Sequence, residues 1–132
     1  CFLFGGVRET RETMRATLEM AKRMKLDTAQ FFPIMVYPGT RAYEEAKREG
    51  ELVTENYETW LRGSGYYVSQ VCRGQLSAEE ISAFTDRAYR EFYLRPAFIW
   101  QKIRQFFVSP SERSRIILGF LFFLKKVFTR DK

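Results

Sequence analysis

The stretch Phe2-Leu3-Phe4-Gly5-Gly6-Val7-Arg8-Glu9-Thr10 decides the fold, because it joins an apolar run to a helix start through a glycine turn. Three apolar residues before two glycines indicate a short buried strand that ends in a tight turn. Thr10 stands where a helix N-cap is expected, and Glu12 lies in the first helical turn. The sequence therefore predicts a strand, a turn and a helix in succession.

A second unit of the same kind follows. Residues 29–36 predict a strand, in which Pro33 lacks an N–H and favours an edge, an end or a bulge. A turn at residues 37–40 places Thr40 as the cap of a helix over residues 41–49. This alternation is typical of a parallel α/β layer or barrel. Because parallel strands are buried on both faces in known architectures, we expect a slice of a larger sheet and a longer parent protein.

The remainder of the chain predicts a loop and several helices. Residues 51–75 read as a long polar loop with a short helix near residues 56–61. Ser77 and Glu80 form a capping-box pattern, Pro96 interrupts the helix that follows, and Ser109 before Pro110 predicts a further cap. Three segments result, at residues 1–50, 51–75 and 76–132.

Positive charge is concentrated in the last third of the chain. The net charge is +6, yet residues 1–89 hold 12 Lys or Arg against 13 Asp or Glu, while residues 90–132 hold 10 against 3. Nine apolar residues at 116–124 precede Lys125 and Lys126, and this run is shorter than the ~20 residues that span a bilayer. Two interpretations stay open: peripheral contact with an anionic membrane, or docking on the rest of the parent or on a second copy. No known nucleic-acid-binding motif is present.

Few residues offer chemistry of their own. The chain has no His, and Cys1 and Cys72 match no metal-binding spacing, so we predict no metal ligand and no catalytic residue. No signal peptide is recognisable, and two lone cysteines form no disulfide framework, so a reducing cytoplasm is the default expectation.

The glycine turn resembles the motif at the end of the fifth barrel strand of radical S-adenosylmethionine (SAM) enzymes, an apolar strand followed by G-L-P-G-E-T. Gly5, Glu9 and Thr10 match, whereas Val7 and Arg8 stand where Pro and Gly are usual. A plain connecting turn is the alternative reading.

Two later stretches resemble the cobalamin-binding branch of that superfamily, which includes anaerobic magnesium-protoporphyrin IX monomethyl ester cyclase-like and P-methylase-like Fe–S oxidoreductases. They are Tyr37-Pro38-Gly39-Thr40 with Tyr43-Glu44, and the run Ala88–Pro96. The resemblance implies the last two strand–helix units of a partial TIM-like barrel, with a C-terminal helical extension. The overall class is α/β and mostly helical.

The same resemblance implies the chemistry of the parent, an Fe–S oxidoreductase or methyltransferase with a [4Fe–4S] cluster, SAM and cobalamin. The cysteine motif C-x-x-x-C-x-x-C of that cluster is absent here. We therefore expect this chain alone to bind none of these cofactors and to be catalytically inert. The alternative is a non-catalytic helical domain that docks on a membrane or a protein through residues 110–128.

The resemblance also implies site residues at the strand ends. Leu3 would lie near the adenine of SAM, Gly5 would permit a close backbone approach, and Glu9 would brace the turn. Val36 and Tyr37 would lie beside them at the end of the second strand. The alternative role of Glu9 is to stabilise the helix dipole.

Aromatic side chains of the long loop are the candidate substrate contacts. Trp60, Tyr66 and Tyr67 would face substrate at the barrel mouth, or else pack the loop against neighbouring helices.

Overall fold

The computed structural model of the 132-residue chain describes residues 1–61 and 67–128, without the side chains of Tyr57 and of residues 122–128. The described part is α/β and mostly helical, as predicted. Its strands are β1 (Phe2–Phe4) and β2 (Phe31–Pro33), and its α-helices are α1 (Arg11–Arg23), α2 (Arg41–Arg48), α3 (Ala78–Tyr93), α4 (Pro96–Val108) and α5 (Arg113–Phe128). Short 3-10 turns lie at Tyr57–Trp60 and Pro110–Glu112.

The two strands pair in parallel, with Phe2 opposite Phe31 and Leu3 opposite Phe32. β2 is shorter than the predicted strand at residues 29–36 and ends at Pro33, although the Ile34 N–H still donates to the Phe4 carbonyl at 2.7 Å. The predicted parallel pair is thus confirmed. Its origin in a barrel stays a prediction.

Both helices that follow the strands begin at the predicted caps. The Thr10 hydroxyl accepts the Thr13 N–H at 3.2 Å, and the Thr40 hydroxyl accepts the Tyr43 N–H at 3.3 Å. Each bond satisfies a backbone donor that has no partner inside its helix. α2 then ends before Gly50, which has a φ of 69°.

One face of the strand pair is covered by α3. The ring of Phe4 meets that of Phe84 edge-on with centroids 4.9 Å apart, and Phe31 meets Tyr89 edge-on at 5.4 Å. The Tyr89 hydroxyl also accepts the Phe31 N–H at 3.2 Å. Since Phe4 and Phe31 are fully buried, this face is the main core of the region.

The segment between α2 and α3 is held by scattered backbone pairing. Leu52 faces Val71 in an isolated antiparallel bridge, and Arg73 faces Leu76 in another. The expected short helix is the 3-10 turn, where the Asn56 side chain accepts the Glu58 N–H at 3.0 Å. The predicted loop is therefore ordered where the structure describes it.

α3 begins with the predicted capping box. The Ser77 hydroxyl accepts the Glu80 N–H, and the Glu80 carboxylate accepts the Ser77 N–H, both at 3.1 Å. The chain forms two compact units, residues 1–89 and 90–132, and the boundary between them lies within α3. The segment limits predicted at residues 50 and 75 stay a prediction.

The second unit is built from aromatic contacts at the turn between α3 and α4. The Phe98 ring lies 5.5 Å from that of Phe92 and 5.0 Å from that of Tyr93, and the Arg95 guanidinium covers Phe92 at 4.1 Å. The break expected at Pro96 is confirmed. Ser109 lies at the predicted N-cap position with Pro110 after it, but they begin a 3-10 turn that precedes α5, and the Ser109 side chain makes no capping bond. No helix in the described ranges has both the length and the apolar character needed to cross a membrane.

Candidate functional site

The glycine turn after β1 is held by a carboxylate. Glu9 Oε2 accepts the N–H of Gly5 at 2.9 Å and that of Gly6 at 3.0 Å. Its other oxygen accepts the Thr13 hydroxyl at 3.1 Å. Glu9 therefore braces the turn, and its carboxylate already occupies both glycine amides; a cofactor-binding role for Glu9 stays a prediction.

Gly5 lies where no side chain fits without strain. Its φ is 92°, and an added Cβ would lie 3.3 Å from Ile34 and from Ile81. Gly5 therefore lies close to two side chains of the protein itself; its predicted approach to SAM stays a prediction. This contact fixes the end of β1 against α3.

A buried arginine completes the turn, and the sequence analysis missed it. Arg73 is 5% exposed; its Nε donates to the Gly5 carbonyl at 3.0 Å, and its guanidinium pairs with the Glu51 carboxylate. Gly5 and Glu51 lie 68 and 22 residues away from Arg73 in sequence, so no local sequence pattern predicts this contact. Arg73 thereby ties the end of β1 to the long loop.

The end of β2 is held by a buried amide. Gln70 Oε1 accepts the Val36 N–H at 3.4 Å, and the Val36 side chain packs in a cluster with Tyr43, Ala46 and Val71. Gln70 Nε2 has no hydrogen-bond partner among the described residues. Because Val36 is only 1% exposed, its side chain is not accessible to a ligand, and only its backbone atoms could contact one.

Tyr37 is accessible at the same edge. Its side chain is 51% exposed, and its ring meets Trp60 at 5.7 Å. Trp60 itself is buried, so the structure uses it to pack the loop rather than to present an open ring. Tyr66 lies outside the described residues.

An apolar face of the strand pair is exposed on the side opposite to α3. It is formed by Leu3, Phe32 and Tyr67, which we call the open face. Leu3 is 55% exposed, and Tyr67 is 46% exposed with its ring edge-on to Phe32 at 6.3 Å. Because alternate residues of a strand point to opposite faces, paired Leu3 and Phe32 share this one. Of the predicted residues, Leu3, Tyr37 and Tyr67 are therefore the accessible ones.

An ion pair connects the helices that begin beside the site. Arg11 at the start of α1 pairs with Glu80 at the start of α3. The hydrogen bond from Arg11, followed by that from the Ser77 N–H, holds the pKa of Glu80 below its ordinary value. Glu80 is therefore ionised at neutral pH.

Possible His or Cys metal ligands are few among the described residues. They contain no group of three or more Cys, His, Asp or Glu side chains placed to hold a metal ion. Cys1 is exposed and Cys72 is half-buried. The described side chains do not fit an iron–sulfur cluster, which needs several thiolates from one pocket.

Comparison with known proteins gives one informative similarity. The chain is 35% identical over 103 residues to a protein named uncharacterized methyltransferase PH0819 from Pyrococcus horikoshii. The match covers 77% of this chain and 21% of that protein, so the chain spans about a fifth of the length of this relative. No model of a protein family matches the sequence, and no solved structure matches it.

These findings correct the family assignment drawn from the sequence. The resemblance to cobalamin-binding radical SAM enzymes and ester cyclases has no matching family behind it, and the relative is named only as a methyltransferase. We therefore withdraw that assignment. The cluster and cobalamin that it implied stay untested.

Proposed function

We propose that the chain is part of a longer methyltransferase, in which the open face and the adjoining strand ends form one wall of the methyl-donor pocket. The similarity to a protein named a methyltransferase supports the reaction class. The open face is the structural observation that carries the location, because parallel strands that expose an apolar face normally have it covered.

The rest of the longer protein would continue the sheet into a parallel α/β architecture of the barrel type. Ligands in such folds bind at the carboxyl ends of the strands. In this chain that edge carries the braced Gly5–Gly6 turn and the exposed Tyr37 ring. Both would face the same pocket.

S-adenosylmethionine is the methyl donor that we propose. A nucleophile on the substrate would attack the methyl carbon with its electron pair, the carbon–sulfur bond would break, and the sulfonium would leave as a neutral thioether. Leu3 and Tyr37 would bind the donor through apolar and ring contacts, and Tyr67 would help to exclude water. Glu9 and Arg73 would only position the turn, because their polar atoms are bonded within the protein.

Equilibrium binding of SAM to the longer protein tests this proposal. Leu3→Asp and Tyr37→Ser should each raise the Kd for SAM by about tenfold, as expected for the loss of one apolar contact of about 1.4 kcal/mol. Val53→Asp is the matched control, since Val53 is also about half exposed but lies outside the open face and the strand ends. An unchanged Kd in both variants, or the absence of methyl transfer from labelled SAM to any product, would refute the proposal.

A further inference from the structure

α4 carries an exposed apolar stripe on one side. Its members are Ile99, Trp100, Ile103 and Phe107, which we call the α4 stripe. Trp100 is 69% exposed and Phe107 is 72% exposed. At 3.6 residues per turn, positions 99, 100, 103 and 107 lie along one face of a helix. Large apolar side chains in such an array indicate a surface that contacts another apolar phase.

The core of the second unit does not need this stripe. Phe98 lies on the other side of α4, is 6% exposed and packs on Phe92 and Tyr93. Among the described residues, α4 therefore has one apolar side that is packed and another that is exposed. From the sequence pattern alone, both sides of α4 are apolar, and the pattern does not show which side is packed and which is exposed.

An exposed arginine borders the stripe. By helical spacing, Arg104 lies on one flank and Lys102 on the other, with Arg104 exposed to solvent. Lys102 extends over the Phe98 ring at 5.2 Å and donates to Gln105, so its ammonium lies toward the packed side of α4, and Arg104 is the exposed charge beside the stripe. Residues 90–132 hold 10 Lys or Arg against 3 Asp or Glu. An apolar stripe with a basic border is typical of a helix that lies in a membrane interface.

We propose that the α4 stripe lies in the headgroup region of an anionic membrane. The charge of residues 90–132 is complementary to such a surface, and Trp is enriched at membrane interfaces. A second copy of the chain would bring the same positive charge to the same face, which disfavours it as the occupant. The 13 residues of α4 are too few to cross a bilayer, so the helix lies in the interface. The α4 stripe is a different surface from residues 110–128, for which the sequence left membrane contact and protein docking open.

Vesicle co-sedimentation of the full chain tests the proposal. Vesicles of phosphatidylcholine with about 30% phosphatidylglycerol should bind the chain, whereas pure phosphatidylcholine should bind it weakly, and salt should release it. The double variant Trp100→Ser/Phe107→Ser should lose about thirtyfold in partitioning, if each ring removes about 40 Å² of apolar surface from water. Arg104→Gln should lose about fivefold on the anionic vesicles alone.

The matched control is Met20→Ser/Met24→Ser, which removes two apolar side chains of the first unit that are 47% and 46% exposed. It should bind as the unmodified chain does. Trp100 fluorescence should also shift to shorter wavelength with anionic vesicles, and Trp100→Phe should abolish the shift. Equal binding to both lipids, unimpaired binding by the double variant, or binding only to another protein would overturn the proposal. These results are independent of SAM binding.

Discussion

The buried contact of Arg73 gives the sharpest prediction for stability. Arg73→Met keeps much of the side-chain volume but leaves the Gly5 carbonyl and the Glu51 carboxylate without this donor. Removing one partner of a buried ion pair costs about 3–5 kcal/mol, because the other charge stays desolvated. The Glu51 side chain is 24% exposed, so water partly solvates it and the lower end of that range applies.

We therefore expect Arg73→Met to lower the free energy of unfolding by about 3 kcal/mol. With a urea dependence of about 2 kcal/mol per molar, the midpoint would fall by about 1.5 M. Arg73→Lys should lose about half as much, because an ammonium keeps the charge but not the forked geometry. Urea unfolding followed by circular dichroism measures all three proteins.

Arg41→Met is the matched control, since Arg41 pairs with Glu45 at 2.7 Å but its side chain is 91% exposed. It should leave the midpoint almost unchanged. A double-mutant cycle with Glu51→Gln should show a coupling energy above about 1 kcal/mol. If Arg73→Met lowers the free energy of unfolding no more than Arg41→Met does, or if the cycle shows no coupling, then the contacts of Arg73 with Gly5 and Glu51 do not stabilise the fold.

Three further predictions follow from particular residues. Gly5→Ala should cost about 1–2 kcal/mol more than Gly50→Ala in urea unfolding, since both have positive φ but only Gly5 has side chains near the new Cβ; equal costs would exclude the packing contribution. The pKa of Glu80 is lower in the folded chain, so its contribution to stability is present above about pH 4.3 and is lost as the pH falls; Glu80→Gln should lessen the acid-induced loss in a pH series, and an unaltered pH profile would contradict this. Among the described residues each strand has one unpaired edge, so we expect self-association, and sedimentation showing a monomer at micromolar concentration would count against it.

The sequence predicted most of the local structure because the signals are local. Thr10, Thr40 and Ser77 cap their helices through atoms three residues away, and Pro96 ends one helix and starts another. At Ser109 the same reasoning found the N-cap position but not the structure after it, which is a 3-10 turn without a side-chain capping bond. It also predicted β2 too long, since apolar residues beyond Pro33 leave the sheet to enter a separate cluster.

The sequence by itself determined the starts of α1, α2 and α3, the parallel strand pair and the concentration of positive charge after residue 89. These depend on spacing, proline geometry and composition, all of which are readable along the chain. Only the tertiary structure decided that Arg73 holds the Gly5 turn, that Trp60 is buried while Tyr67 is exposed, and that the α4 stripe faces outward. Each of these depends on which residues, distant in sequence, meet in space, and the physical reason is that burial is a property of the packed chain rather than of any one segment.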